Sequence, residues 1–217
     1  MRCDGSVKIS SAVGWRTGIS VEPQRQRTSI DRLALAAEPV TRSRGSTSPD
    51  GAITLLLSDI ADAGAAAQRL GAERWDQLLT DHHVLIAELV ASYDGEVVRV
   101  DGDGFLAAFH SAHAGLHAAA ELRRAFTELA TPFDGGTLAL RIGLHSGFVI
   151  PTPEQPQGRN VVLVARIAGQ AKGGEILVSS SLKQYTQRDR RFRFDRRGEY
   201  HFKGLVGEHT VYAVDLQ

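Results

Sequence analysis

At 217 residues, with 42% hydrophobic and 23% charged residues, the chain has an ordinary globular balance and room for one sizeable domain plus an extension. Lys and Arg number 25 and Asp and Glu number 25, so zero formal charge gives no broad attraction to nucleic acid or anionic lipid. The single cysteine, Cys3, excludes an intramolecular disulfide. No apolar run reaches the ~20 residues of a membrane span and no signal-peptide core is present, which together point to the cytoplasm.

Residues 1–50 are rich in Ser, Thr, Arg and Gln and end in a linker-like stretch from Thr41 to Asp50; they read as a mostly disordered extension. Within it, residues 29–37 have the pattern of two helical turns capped by Ser29, a helix too short to stand alone. A second unit, residues 51–217, carries the periodicity. Residues 53–57 form a continuous apolar run that suits a buried strand, and residues 70–93 carry Leu78, Leu79, Leu85, Ile86, Leu89 and Val90 at helical spacing. Residues 96–100 and 105–109 read as a hairpin turning at Gly102-Asp103-Gly104. A second helix is expected over 112–129. A long strand over 137–150 contains Gly143 and Gly147, which suggest a bend or a close backbone approach. A loop with three prolines covers 151–157, and a helix over 160–171 ends before Gly173-Gly174. Strands over 176–179, 192–202 and 209–216 complete an α+β arrangement: a ferredoxin-like βαββαβ core with additional C-terminal elements.

Asp59 lies two residues beyond the first apolar run, and Asp103 lies in the hairpin turn. Magnesium takes oxygen ligands, usually one or two carboxylates completed by phosphates and water. A strand-end aspartate beside a hairpin-tip aspartate meets that demand, because neighbouring strands lie only about 4.8 Å apart. Asp-Gly pairs also make ordinary hairpin turns, so the turn alone decides nothing. A calcium loop is excluded, since Phe105 and Leu106 stand where a ligand and a glycine belong.

Six segments occur in order: Thr54-Leu-Leu-Leu-Ser-Asp-Ile60, Val97-Val-Arg-Val-Asp-Gly-Asp-Gly-Phe-Leu-Ala107, Arg141-Ile-Gly-Leu-His-Ser-Gly147, Ala165-Arg-Ile167, Gly173-Gly-Glu-Ile-Leu-Val-Ser179 and Phe202-Lys-Gly-Leu205. Together, over roughly residues 52–216, they resemble the class III adenylate/guanylate cyclase catalytic domain. The resemblance implies the class III nucleotidyl cyclase fold and conversion of ATP, or less readily GTP, to the cyclic 3′,5′-monophosphate and pyrophosphate. It also implies two magnesium or manganese ions per site, and sites shared across a homodimer or a heterodimer with another cyclase chain. By the same resemblance Asp59 and Asp103 are metal ligands aided by the Ile60 carbonyl, Arg166 steadies charge on the triphosphate, and Lys203 contacts phosphate.

Three positions depart from the family pattern. Val162 stands where the family has an asparagine four residues before the arginine, on the same helix face, and it can form no side-chain hydrogen bond. Asn160, about 120° away around the helix, is no easy substitute. Arg99 replaces the purine-selecting lysine, whose ammonium a planar guanidinium does not reproduce. Gln155 aligns with the second base selector inside the proline-rich loop. The turn after Asp59 is altered too: Asp62 adds a negative charge close to the triphosphate path. In the family the two aspartates come from one protomer and the asparagine, arginine and base selectors from the other. Two readings stay open: a cyclase weak alone, or a silent cyclase-homology domain acting by dimerisation or nucleotide binding. A diguanylate cyclase fits the downstream motifs less well.

Other signals are read as structural. His82 and His83 point about 100° apart on a helix and cannot easily share a metal. His145 reads as a packed strand histidine. The arginines at 188, 190, 191, 193, 196 and 197 read as a solvated strand surface. No helix-turn-helix or aromatic-basic platform supports nucleic-acid readout.

Overall fold

The computed structural model describes residues 29–36, 52–134, 138–148 and 158–216. Its first strand, β1 (Ala52–Ile60), is buried at every position, through the apolar run at 53–57 and on through Ser58 and Asp59. Around it forms a seven-stranded sheet from β2 (Gly95–Asp101), β3 (Gly104–Phe109), β4 (Leu140–Phe148), β5 (Ile176–Ser179), β6 (Phe192–Tyr200) and β7 (His209–Leu216), in the order β2-β3-β1-β4-β5-β7-β6. β1 runs antiparallel to both β3 and β4, the β4–β5 pair is parallel, and the others are antiparallel.

Because side chains alternate along a strand, the sheet carries two different faces. One packs Leu56, Ile60, Phe105, Phe109 and Leu144 against α3 (Ala72–Ser92) and α4 (Ala112–Asp134) in the larger core. On the other, Ile53, Leu55, Leu57, Leu106 and Ala108 meet α1 (Ser29–Ala36) and α5 (Arg159–Ala168). Asp59 shares the parity of Ile53, Leu55 and Leu57 and therefore belongs to this second face.

The expected elements are present with shifted bounds. The helix expected over 70–93 is α3, and a further helix not expected from the sequence, α2 (Ala63–Leu70), precedes it across Gly71 at φ 77°. α4 runs past Leu129 to Asp134, and β6 ends at Tyr200 rather than 202. The helix expected over 160–171 is α5, ending at Ala168. α6 (Ser180–Thr186) is additional, its first turn held by the Ser179 hydroxyl accepting from the Leu182 amide. Gly143 and Gly147 do permit close approach. A Cβ on Gly143 would lie 2.5 Å from the Ala168 amide nitrogen, so α5 rests directly on β4 there. The loop at 151–157, with Gln155, lies outside the described residues, as do most of residues 1–50.

Residues 29–36 are the described part of the N-terminal extension, and they take the helical form that the pattern over 29–37 suggests. They form the α1 helix, whose Ile30 and Leu33 are buried against the second face. A two-turn helix is marginal in water, but burial of its apolar side on the sheet supplies what propensity cannot. Among the described residues no helix is long and apolar enough to cross a membrane.

Candidate active site

The carboxylate pair is assembled at the end of β1. The β2–β3 hairpin pairs Asp101 with Gly104 and turns on Gly102 and Asp103. Gly102 has φ 62°, the left-handed value needed at the first central position of a type II′ turn. Since β3 lies beside β1 with Phe105 opposite Ser58, the turn reaches the last residues of β1. There the Ile60 amide donates to Asp103 Oδ2 at 3.2 Å. Asp59 and Asp103 are 1% and 9% exposed, and each feels the other's charge.

Burial pushes the Asp59 carboxyl up to about 6, against the pull of Arg141, and the charge of Asp103 adds to the rise. Arg141 is the register partner of Asp59 on β4 and donates to both its oxygens, from Nε at 2.8 Å and from Nη2. Ser29 Oγ, from α1, donates to Asp103 Oδ1. Each of the four carboxylate oxygens thus accepts a hydrogen bond. Two buried carboxylates side by side, with the backbone of Ile60 between them in sequence, form an oxygen donor set that suits a magnesium or manganese ion. Among the described residues no group of three or more His, Cys, Asp and Glu could hold a metal.

The hairpin tip has a further support. His83 Nε2 lies 2.9 Å from the Gly102 carbonyl, while its neighbour His82 is fully buried among Phe105 and Phe126. The two rings lie 6.2 Å apart, one inside the core and the other at the hairpin tip. His145 is likewise packed, with Nδ1 2.9 Å from Ser179 Oγ and Nε2 3.2 Å from Asn160 Oδ1. Desolvation lowers both rings, His82 to about 3 and His145 to about 4.

The remaining expected site residues are carried by other elements. Val162 and Arg166 share the half-buried stripe of α5, whose other positions are mostly buried. Asn160 is already engaged, donating to the Phe148 carbonyl at 2.7 Å as well as meeting His145. Arg99 lies opposite Leu106 just past a register shift in β2. Asp62, in left-handed conformation at the start of α2, is exposed. Lys203 is exposed in the turn after β6. Three strands separate β1 from β6, about 19 Å across the sheet at 4.8 Å per strand, so one chain does not bring Lys203 to its own carboxylates. Most of the arginine cluster is ion-paired surface: Arg191 with Asp189, Arg193 with Asp195 and Asp215, Arg196 with Glu199 and Arg197 with Glu175.

Sequence reasoning missed two partners of the site. Arg141 and Ser29 stand 82 and 74 residues from the carboxylates they bind, and nothing in local pattern links them. Only the β1–β4 register could have found Arg141.

Residues 46–215 match the family described as the adenylate and guanylate cyclase catalytic domain. An uncharacterized protein of Mycobacterium tuberculosis is 31% identical over 135 residues, which are 61% of this chain and 44% of that protein. The chain spans less than half the length of the curated relatives it matches. Among solved structures, the adenylyl cyclase CyaB from P. aeruginosa superimposes with a TM-score of 0.68 at 20% identity, covering 76% of this chain and 94% of that one. The guanylyl cyclase Cya2 gives 0.63 at 21% identity, covering 75% and 91%. At such identities these likenesses show the fold alone.

Proposed function

The chain belongs to the family of adenylate and guanylate cyclase catalytic domains, matched over residues 46–215, and on that premise we propose that it supplies the metal-binding half of a composite nucleotidyl cyclase site. The observation that carries this reading is the buried, adjacent pair of Asp59 and Asp103. Two bound magnesium or manganese ions would activate the ribose 3′ oxygen and neutralise the pyrophosphate leaving group. Asp59, Asp103 and the Ile60 carbonyl would hold them. Arg166 on α5 and Lys203, which lies across the sheet from the carboxylates of its own chain, would serve the triphosphate in the site completed by a second protomer.

The substrate is ATP in preference to GTP, and activity of the chain alone is low. Val162 presents a methyl pair where a donor to the ribose belongs, and Asn160 is held by Phe148 and His145. Losing one such preorganised donor costs about 10²–10³ in rate. A heterodimer with a complete cyclase chain would place Asp59 and Asp103 opposite a sound complementary half; a homodimer would carry two impaired sites.

A second reading, a silent cyclase-homology domain acting by dimerisation or nucleotide binding, is favoured by that same valine on α5. The two separate in one assay. The full chain is incubated with manganese and ATP or GTP beside Asp59→Ala. Cyclic nucleotide formed by the wild type and absent from the variant supports the cyclase reading. Equal background in both leaves either the silent domain or one half of a heterodimer, and the assay is then repeated with a complete cyclase chain added, whose activity should depend on Asp59.

A further inference from the structure

The helix α1 does more than cover an apolar face. Ile30 and Leu33 are buried among Ile53, Leu55, Leu57 and Leu106 of the sheet and Val161 and Val164 of α5. That docking sets the first residue of the helix over the hairpin tip. A Cβ on Gly104 would lie 2.9 Å from Ser29 Cβ and 3.0 Å from a Leu33 methyl, so the glycine after Asp103 leaves room for the helix. Ser29 Oγ then donates to Asp103 Oδ1, Arg32 Nη2 approaches Ser29 Oγ at 3.4 Å, and Arg32 Nε meets Asp101 Oδ2 at 3.1 Å. Both acidic residues of the hairpin tip are therefore engaged by one helix.

These contacts differ in weight. The Arg32–Asp101 pair is half in solvent and contributes little. The hydrogen bond to Asp103 is buried and charge-assisted, which makes it the stronger kind. The apolar contacts of Ile30 and Leu33 place it.

We propose that α1 is an autoinhibitory latch: it docks on the sheet face that bears the carboxylates and occupies, through Ser29, an Asp103 oxygen that a divalent cation needs. Helix and cation then bind alternately, and undocking of α1 precedes loading of the site. The inference rests on reading Asp59 and Asp103 as metal ligands. It adds that the chain's own N-terminal helix controls access to them.

The test is a titration of the full chain with Mn²⁺ alone, following the free ion by electron paramagnetic resonance. Wild type, Leu33→Asp, Ser29→Ala and the double variant Leu33→Asp/Asp59→Asn are compared. Leu33→Asp should bind Mn²⁺ about tenfold or more tighter than wild type, with Ser29→Ala shifted the same way by less. The double variant should lose that binding. In the wild type, saturating Mn²⁺ should also speed amide hydrogen exchange across residues 29–36. Thermal melts establish that each variant is folded, and Ser29→Ala alone carries the comparison if Leu33→Asp is not. Equal affinity in wild type and latch variants, with binding still dependent on Asp59, would overturn the latch and leave the metal-site reading intact. No Mn²⁺ binding by any variant would overturn both.

Discussion

Removing Arg141 gives the sharpest test of how the carboxylate pair is held. Its guanidinium donates to both oxygens of Asp59, whose side chain is 2% exposed, while Arg141 itself is 24% exposed. Taking away one partner of a buried ion pair leaves an uncompensated charge, at a cost of about 3–5 kcal/mol. Water reaches this pair from the arginine side, so Arg141→Ala should fall at the lower end, near 3 kcal/mol. Asp59→Asn removes the charge that needs compensation, and the guanidinium left behind can turn toward solvent. The double variant should therefore recover most of the loss, giving a coupling energy of about 2 kcal/mol between the two positions. Urea unfolding of the four proteins, followed by circular dichroism in the presence of a chelator, measures that cycle. A coupling below about 0.5 kcal/mol would refute the argument, because the two side chains would then be contributing independently.

Three further outcomes follow from the same geometry. Gly143→Ala drives a methyl to within 2.5 Å of the Ala168 backbone, which cannot rotate aside, so it should cost about 1–3 kcal/mol in urea unfolding. Gly147→Ala meets only the side-chain ends of His145 and Asn160 and should cost less. His82 is held near 3 by desolvation and by the neighbouring charge of His83, below its ordinary 6.5. Its contribution to stability is present above pH 6.5 and is lost as pH falls toward 3, at up to about 1.4 kcal/mol per pH unit. His82→Leu should remove that part of the acid slope between pH 6 and 4.5, measured as urea midpoints across pH. His145, depressed to about 4, should preserve a slope of its own. Val162→Asn should raise cyclic nucleotide production with manganese and ATP by about 10²–10³ where the rest of the site is sound. No change there would place the defect in the base pocket or in the turn after Asp59.

The parts of the fold legible in the sequence are those fixed by short-range rules. β1 announces itself as an apolar run, the hairpin by its Gly-Asp-Gly turn, and α5 by period and by the glycines after it. Asp59 and Asp103 are legible because a strand end and a turn are local features, and neighbouring strands bring them together. What stayed hidden depends on partners distant in sequence. α2 is short and rich in alanine, with Ala66 its one buried position, so it carries too few large apolar residues to show a helical period. α6 follows β5 without a break and is not read from the sequence, Ser179 ending the strand and capping the helix. α1 is marginal by propensity and forms because Ile30 and Leu33 find a covered face, a fact about the sheet and not about residues 29–36.

The two departures of this site from a simple metal centre have one physical root. Buried carboxylates need compensation whether or not a cation is bound, since an unpaired charge in the interior costs far more than any local packing returns. Here that compensation comes from the chain itself, through Arg141 on β4 and Ser29 on α1. Arg141 is anchored in the central sheet, opposite Asp59 in register, and its removal damages the fold. Ser29 sits on a short peripheral helix whose attachment rests on a few apolar contacts. The two carboxylates are thus unequal: Asp59 has both oxygens on the guanidinium of Arg141, whereas Asp103 has one on the Ile60 amide of β1 and the other on the Ser29 hydroxyl of α1. If a cation enters this site, it should do so at Asp103 first, as α1 leaves, with Arg141 yielding Asp59 only after a second positive charge has arrived to replace it.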